Sequence, residues 1–193
     1  NFNVNASRNG PALEMNQHRD DLEHLIRVSA EIAQEYDLLI VGSQSILGAI
    51  PYPAHEFKRS MEADMYPRYA PEKATKIEGA IGEASEFHKT HGYYAQEVDP
   101  STFTVPLGWE ERLCKIQNAN TDSKIGWCLS LVDLFLSKAA AGRDKDREFC
   151  QAMLRHRYVI ASEALELVPA MMTMDEEERE RLAKRIRRWD KTK

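Results

Sequence analysis

The chain has 193 residues, 42% apolar and 30% charged, a balance that supports one domain with a real core. No apolar run approaches the ~18–20 residues needed to cross a bilayer, and a net charge of -5 argues against nucleic-acid binding over the whole surface. Cys114, Cys128 and Cys150 are too few and too scattered for a disulfide framework or a zinc knuckle, and each sits among apolar neighbours, as buried free thiols do.

The N-terminus, NFNVNASRNGPALEMNQ, is polar, contains Gly10-Pro11 and lacks the charged-then-apolar order of a signal peptide. It predicts a tail or loosely docked arm over 1–18, and a cytoplasmic protein. Residues 19–36 place Leu22, Leu25, Ile26, Ile32 and Ala33 near helical spacing behind an acidic start. DLLIVG then reads as a strand buried on both faces and ending in glycine. SQSILGAI can begin a short helix at that turn, until Pro51 and Pro53 stop it. SMEADMYP alternates, with Met61, Ala63 and Met65 on one side and Glu62, Asp64 and Tyr66 on the other, a strand closed by Pro67.

Residues 71–85 suggest a helix with Pro71 in its first turn, FHKTHG a polar loop, and YYAQEV a strand. Short strands are expected around Phe103 to Val105, within WEERLCKIQ and at GWCLSL. From Leu131 onward the pattern is helical, with a break near Gly142 and two further helices over 161–190. At the C-terminus DEEE precedes the basic RERLAKRIRRWDKTK, so acids lead and bases trail along one helix, as the macrodipole favours. A solvated terminal helix and a basic strip for RNA or a partner's acidic face both fit that pattern. The element order predicts an α/β (α+β) chain, with a small mixed sheet flanked by helices and a helical C-terminal half.

Glu62 and Asp64 project from one face of their strand, with α-carbons roughly 6–7 Å apart. Carboxylates held that close repel each other unless a cation neutralises them. Magnesium suits the role, because it commonly takes one or two carboxylates plus substrate phosphates. A solvated or salt-bridged strand edge is the plainer alternative. Gly42-Ser43 ends the buried strand, where glycine permits close backbone approach and the N–H groups that follow can face a phosphate. The glycine can equally serve conformation alone. The turn is not a Walker loop, because the Lys and the second glycine are missing, and it is not a Rossmann fingerprint.

Further along, DLFLSKAAAGRDKDREF carries Asp133, Lys138, Arg143, Lys145 and Asp146. On a continuous helix Lys138 and Asp146 share a face; a charged helix surface is the alternative. EFHKTHGYYAQ sets His88 and His91 about a turn, with Glu83 and Glu86 upstream and Tyr93 and Tyr94 downstream. It reads as a structural loop or as a lid whose Tyr or His contacts a base or a hydroxyl. Zinc suits it less, because this is not a tetrahedral ligand set by itself.

A strand ending in Gly-Ser, a short helix, and a strand with an alternating acidic pair after Ser60 together resemble the nucleotidyltransferase fold of the DNA-polymerase-β-like superfamily. The segment from Asp133 to Asp146 is similar to the D-L-x-x-x-K…R-x-x-D segment of abortive-infection-type nucleotidyltransferase toxins. VGSQSILG, SMEADMYP, IGEASEFHKTHGYYAQ and SKxxAGRxKDxEF resemble a bacterial family of this fold over 38–150. The resemblance implies a core over 19–120 and a helical part over 121–193 that completes the site. It implies that Gly42, Ser43 and Ser60 hold the triphosphate, and that Glu62, standing where Asp is usual, and Asp64 hold magnesium or manganese. Lys138 and Arg143 would meet nucleotide phosphates, and Asp146 would orient Lys138 or take the acceptor's proton. Glu97 or Asp99, at the end of YYAQEV, could supply the third carboxylate such enzymes use on the acceptor hydroxyl, and the sequence chooses neither.

The implied substrates are a nucleoside triphosphate and a hydroxyl on tRNA-like RNA, a protein or a small molecule. The toxin likeness adds a cognate antitoxin or another partner protein, and the lack of a long apolar run predicts no membrane partner. The alternative is a module of the same fold that binds nucleotide or a partner without turnover.

Overall fold

The structure, a computed structural model, describes residues 11–58 and 60–192, with side chains from residue 18 onward. Helix α1 (Pro11–Ala33) buries Leu22, Leu25, Ile26, Ser29, Ala30 and Ala33 along one stripe, the spacing of an amphipathic helix. It begins at Pro11 rather than near 19, so residues 11–18, expected in an arm, are helical; the rest of that arm lies outside the described residues.

Five strands form one mixed sheet against α1. They are β1 (Asp37–Ile40), β2 (Glu62–Pro67), β3 (Tyr94–Glu97), β4 (Cys114–Ile116) and β5 (Ile125–Cys128), in the order β3-β2-β1-β5-β4. The β1–β2 and β4–β5 pairs are antiparallel, and the β1–β5 and β2–β3 pairs are parallel. β1 is central, and Leu38, Leu39 and Ile40 are buried, which is why its sequence is continuously apolar. In β2 the two-residue period turns Ala63 and Met65 toward α1, where the Ser29 hydroxyl donates to Met65 Sδ at 3.2 Å. Glu62 and Asp64 therefore take the other face.

After β1 come a 3-10 turn (Ser43–Ser45) and α2 (Ile46–Ala49), together the short helix expected there. α3 (Ala74–Ile81) lies against β3 and α1. Residues 86–91 are not a loop but a helix, α4 (Glu86–His91), whose first turn is capped by the Ser85 hydroxyl accepting from His88 N at 3.1 Å. Its polar composition hid the one apolar anchor, Phe87. Residues 103–105 pair with no strand; Phe103 instead packs against the rings of Tyr66 and Trp109, with centroids 6.4 and 5.8 Å away.

The C-terminal helices are α5 (Leu131–Ala141), α6 (Asp144–Arg155), α7 (Ala161–Leu167) and α8 (Glu176–Asp190). β5 lies between β1 and β4, so residues beyond 120 supply a strand to the sheet as well as these helices. The start of α5 is pinned by Asp133, which is fully buried and accepts from Arg112 Nε and Nη2 at 2.9 and 2.8 Å. Gly142, with φ 67, ends α5 in the left-handed conformation that glycine adopts cheaply. α8 opens with a capping box between Asp175 and Glu178 and buries Leu182, Ile186 and Trp189. Arg185 donates to the Ala139 carbonyl and ties α8 to α5. The three cysteines are free, with Cys128 and Cys150 buried. Among the described residues no helix is long and apolar enough to cross a membrane.

Candidate active site

The end of β1 and the middle of β2 meet at one point. A Cβ built on Gly42 would lie 1.8 Å from Asp64 Oδ2 and 2.7 Å from its Cγ, so only glycine admits that carboxylate. The backbone there is extended, φ -83 and ψ -160; the glycine serves space, not an unusual torsion. Val41 N donates to the Asp64 carbonyl at 3.1 Å, locking the two segments together. Ser43 starts the next turn. Its neighbour Gln44 donates to the Ser60 carbonyl, and the Ser60 hydroxyl donates to the Glu62 carbonyl at 3.2 Å. The helix after the turn is short, so a phosphate there would rely on the Ser43 hydroxyl and local N–H groups more than on a macrodipole.

Lys138, Arg143 and Asp146 also converge, across the break expected near Gly142 and not along one continuous helix face. The helix is broken at Gly142, and the turn carries α6 back so that Lys138 Nζ lies 3.3 Å from Asp146 Oδ1. Arg143 Nε donates to Asp146 Oδ2 at 2.7 Å. Burial works to raise the pKa of Asp146, but the Arg143 hydrogen bond and the Lys138 and Arg143 charges prevail, holding it below the usual carboxylate range. A carboxylate so stabilised is a poor proton acceptor and a good tether for the ammonium. The Lys138 ammonium also stands 4.6 Å from the centroid of the Phe149 ring.

Lys138 lines two hollows. One, of about 500 Å³, is bordered by Ser43, Ser60, Glu62, Lys145 and Arg155. The other, of about 470 Å³, is bordered by Gly42, Asp64, Thr102, Phe103 and Arg143. The acidic pair is thus split, with Glu62 facing one hollow and Asp64 the other. Glu62 Oε2 accepts from the Tyr94 hydroxyl at 3.1 Å.

Neither candidate third carboxylate joins the pair. In the parallel β2–β3 register Asp64 stands opposite Gln96 and Met65 opposite Glu97, so Glu97 falls on the α1 face, where Thr75 donates to it at 3.0 Å. Asp99 is exposed and caps a short turn through Ser101. Asp133 serves as the anchor of α5. His91 packs with Phe87 and His24, and His88 lies against Tyr94, so the histidines are spread through ring packing. Among the described residues no three His, Cys, Asp or Glu side chains gather as a metal set. Lys145, Phe149 and Arg155 border the cleft without having been singled out as site residues, and Tyr94, expected only as part of a loop or lid, touches the site through its hydrogen bond to Glu62. A strand-pairing register would have exposed Tyr94, but that register is not written in local spacing.

The two acids offer hard oxygen donors from one strand face. Burial, then the Glu62 charge, push the Asp64 carboxyl above its usual range against the pull of Lys138, Lys145 and Arg143. Asp64 is thus a largely buried carboxylate beside a second one, and a divalent cation such as magnesium or manganese fits such a pair.

No curated protein and no solved structure gives a significant match to the chain. A family model described as "Nucleotidyltransferase of unknown function (DUF6036)" matches residues 20–193. That span takes in the whole cleft from Gly42 to Arg155, and the chain belongs to this nucleotidyltransferase family.

Proposed function

We propose that the protein transfers a nucleoside monophosphate from a nucleoside triphosphate to a hydroxyl on RNA of tRNA type or on a protein. The observation that supports this reading is the packing of Asp64 on Gly42, which brings the Gly-Ser turn against the acidic strand, with Lys138 bordering the same hollow. Glu62 and Asp64 would hold magnesium or manganese. Such an ion, when bound, supplies charge neutralisation at the phosphate oxygens.

This chain's own residues then position the reaction. The Ser43 hydroxyl, with Ser60 beside it, donates to the triphosphate. Lys138 and Arg143 offset the charge that grows on the departing pyrophosphate, and Asp146 holds both cations in place. The acceptor oxygen bonds to the α-phosphorus, the bond to pyrophosphate breaks, and the acceptor proton passes to water. The likeness to abortive-infection-type toxins supports an RNA or protein target, and with it a restraining partner protein.

Gln96, an amide opposite Asp64, favours a second reading in which the module binds nucleotide without turnover. One assay separates the two. The protein is incubated with each radiolabelled nucleoside triphosphate, magnesium or manganese, and total tRNA, beside Asp64→Asn. Label that moves to tRNA or protein with the wild type and not with the variant supports the transferase. Nucleotide retained without transfer supports the binding module.

A further inference from the structure

Tyr94 opens β3 directly opposite Glu62 in the parallel pairing. Its hydroxyl donates to Glu62 Oε2 at 3.1 Å, and its ring centroid lies 4.5 Å from that of His88. His88 is fixed twice in turn: its backbone N–H donates to the Ser85 hydroxyl at 3.1 Å, and its Nδ1 accepts from Ala84 N at 3.0 Å. Behind it, Phe87 and His91 pack on His24 of α1, and the Tyr93 hydroxyl lies 2.7 Å from His24 Nδ1. A glutamate has one more rotatable bond than an aspartate, so its carboxylate must be held from outside to serve as a fixed ligand.

We propose that Tyr94, backed by His88, is the positioning residue that makes Glu62 a workable metal-holding group, and that α4 is the platform for this contact. The inference rests on the reading of Glu62 and Asp64 as the metal-holding pair. An ordinary phenol keeps its proton up to a pH of about 10, so the Tyr94 hydroxyl remains a donor through the neutral range.

The test is Mn²⁺ binding in the absence of nucleotide, followed by the electron paramagnetic resonance signal of the free ion. Wild type, Asp64→Asn, Tyr94→Phe, Glu62→Asp and the Glu62→Asp/Tyr94→Phe double variant are titrated. Tyr94→Phe should weaken binding by ~10-fold, the low end for losing a partner that orients a ligand, with an unchanged melting temperature. In the Glu62→Asp background, where the shorter arm does not reach the phenol, the same change should have no further effect.

If wild type does not bind Mn²⁺, or Asp64→Asn binds as tightly, the metal reading falls and this inference with it. If Asp64→Asn alone loses binding while Tyr94→Phe matches wild type, or loses the same factor in both backgrounds, only the positioning role falls. Should Tyr94→Phe not fold, His88→Ala takes its place; weaker Mn²⁺ binding is expected, and undiminished affinity would overturn the proposal.

Discussion

A carboxylate pressed onto the backbone of Gly42, with a second carboxylate two residues away on the same strand face, is held together by the fold against its own charge. The folded pKa of Asp64 lies above its unfolded value. The protonated form therefore favours folding at pH below the ordinary carboxylate range, and that contribution is lost as pH rises through the raised folded pKa. At neutral pH the metal-free fold carries the cost. Asp64→Asn should raise the melting temperature of the metal-free protein by ~2–4 °C, about 1 kcal/mol for a chain of this size, while abolishing transfer; calorimetry and the tRNA assay check the two halves. Protons compete with a cation for the same oxygens, so Mn²⁺ affinity should decline on acidification from a higher pH than an exposed carboxylate pair would show. A pH series of Mn²⁺ titrations measures this. Gly42→Ala forces the Asp64 carboxylate aside; the expected result is a loss of ~1–3 kcal/mol in stability and a ~10²-fold fall in kcat, the scale of an ångström's misplacement. The Gly-Ser turn and the E-x-D alternation are local signals, which is why both are visible in the bare sequence. Tyr94 and Gln96 are not, since their meaning depends on which residue of β2 each one faces.

Helices and strands carry these side chains, and their ends decide how well. α5 delivers Lys138 to the cleft, and its first turn is fixed by the buried Asp133 and the bidentate Arg112. Arg112→Ala leaves that buried charge to the Ser130 hydroxyl, which donates at 2.6 Å. Breaking such a pair costs about 3 kcal/mol, so the melting temperature should fall by ~6–12 °C in thermal unfolding. Because Lys138 stands over a turn further along α5, about 7.5 Å along the axis, and the Asp64 side of the cleft lies on β2, Mn²⁺ affinity at low temperature should be retained. Lys138 and Asp146 look related by spacing on one helix, and they do meet, but through the Gly142 turn between α5 and α6. α4 is the element least visible beforehand: EFHKTH has a single apolar anchor, the half-buried Phe87, and its capping serine resembles any loop serine until the N–H it accepts from is known. Around Phe103 the opposite error arises, because β-prone residues there pack by their rings and find no strand edge.

Across the whole molecule, the central strand pairing of β1 with β5 joins residues before 45 to residues after 120. The cleft draws on both, with Gly42, Asp64 and Lys138 coming from distant stretches of chain. Unfolding should therefore be a single transition by calorimetry, and a bound nucleoside triphosphate with magnesium should move all of it. At a hundredfold excess over Kd the gain is about 2.7 kcal/mol, or ~5–10 °C.

The Lys138 ammonium is a partition shared by two chambers, one on the Glu62 side and one on the Asp64 side. The residues assigned to the triphosphate border both, with Ser43 and Ser60 on the first and Gly42 and Arg143 on the second, so a bound nucleotide would reach across the partition into each. A dead-end nucleotide analogue should then change the acceptor's access as well as the nucleotide's, which initial-rate plots at varied acceptor would read.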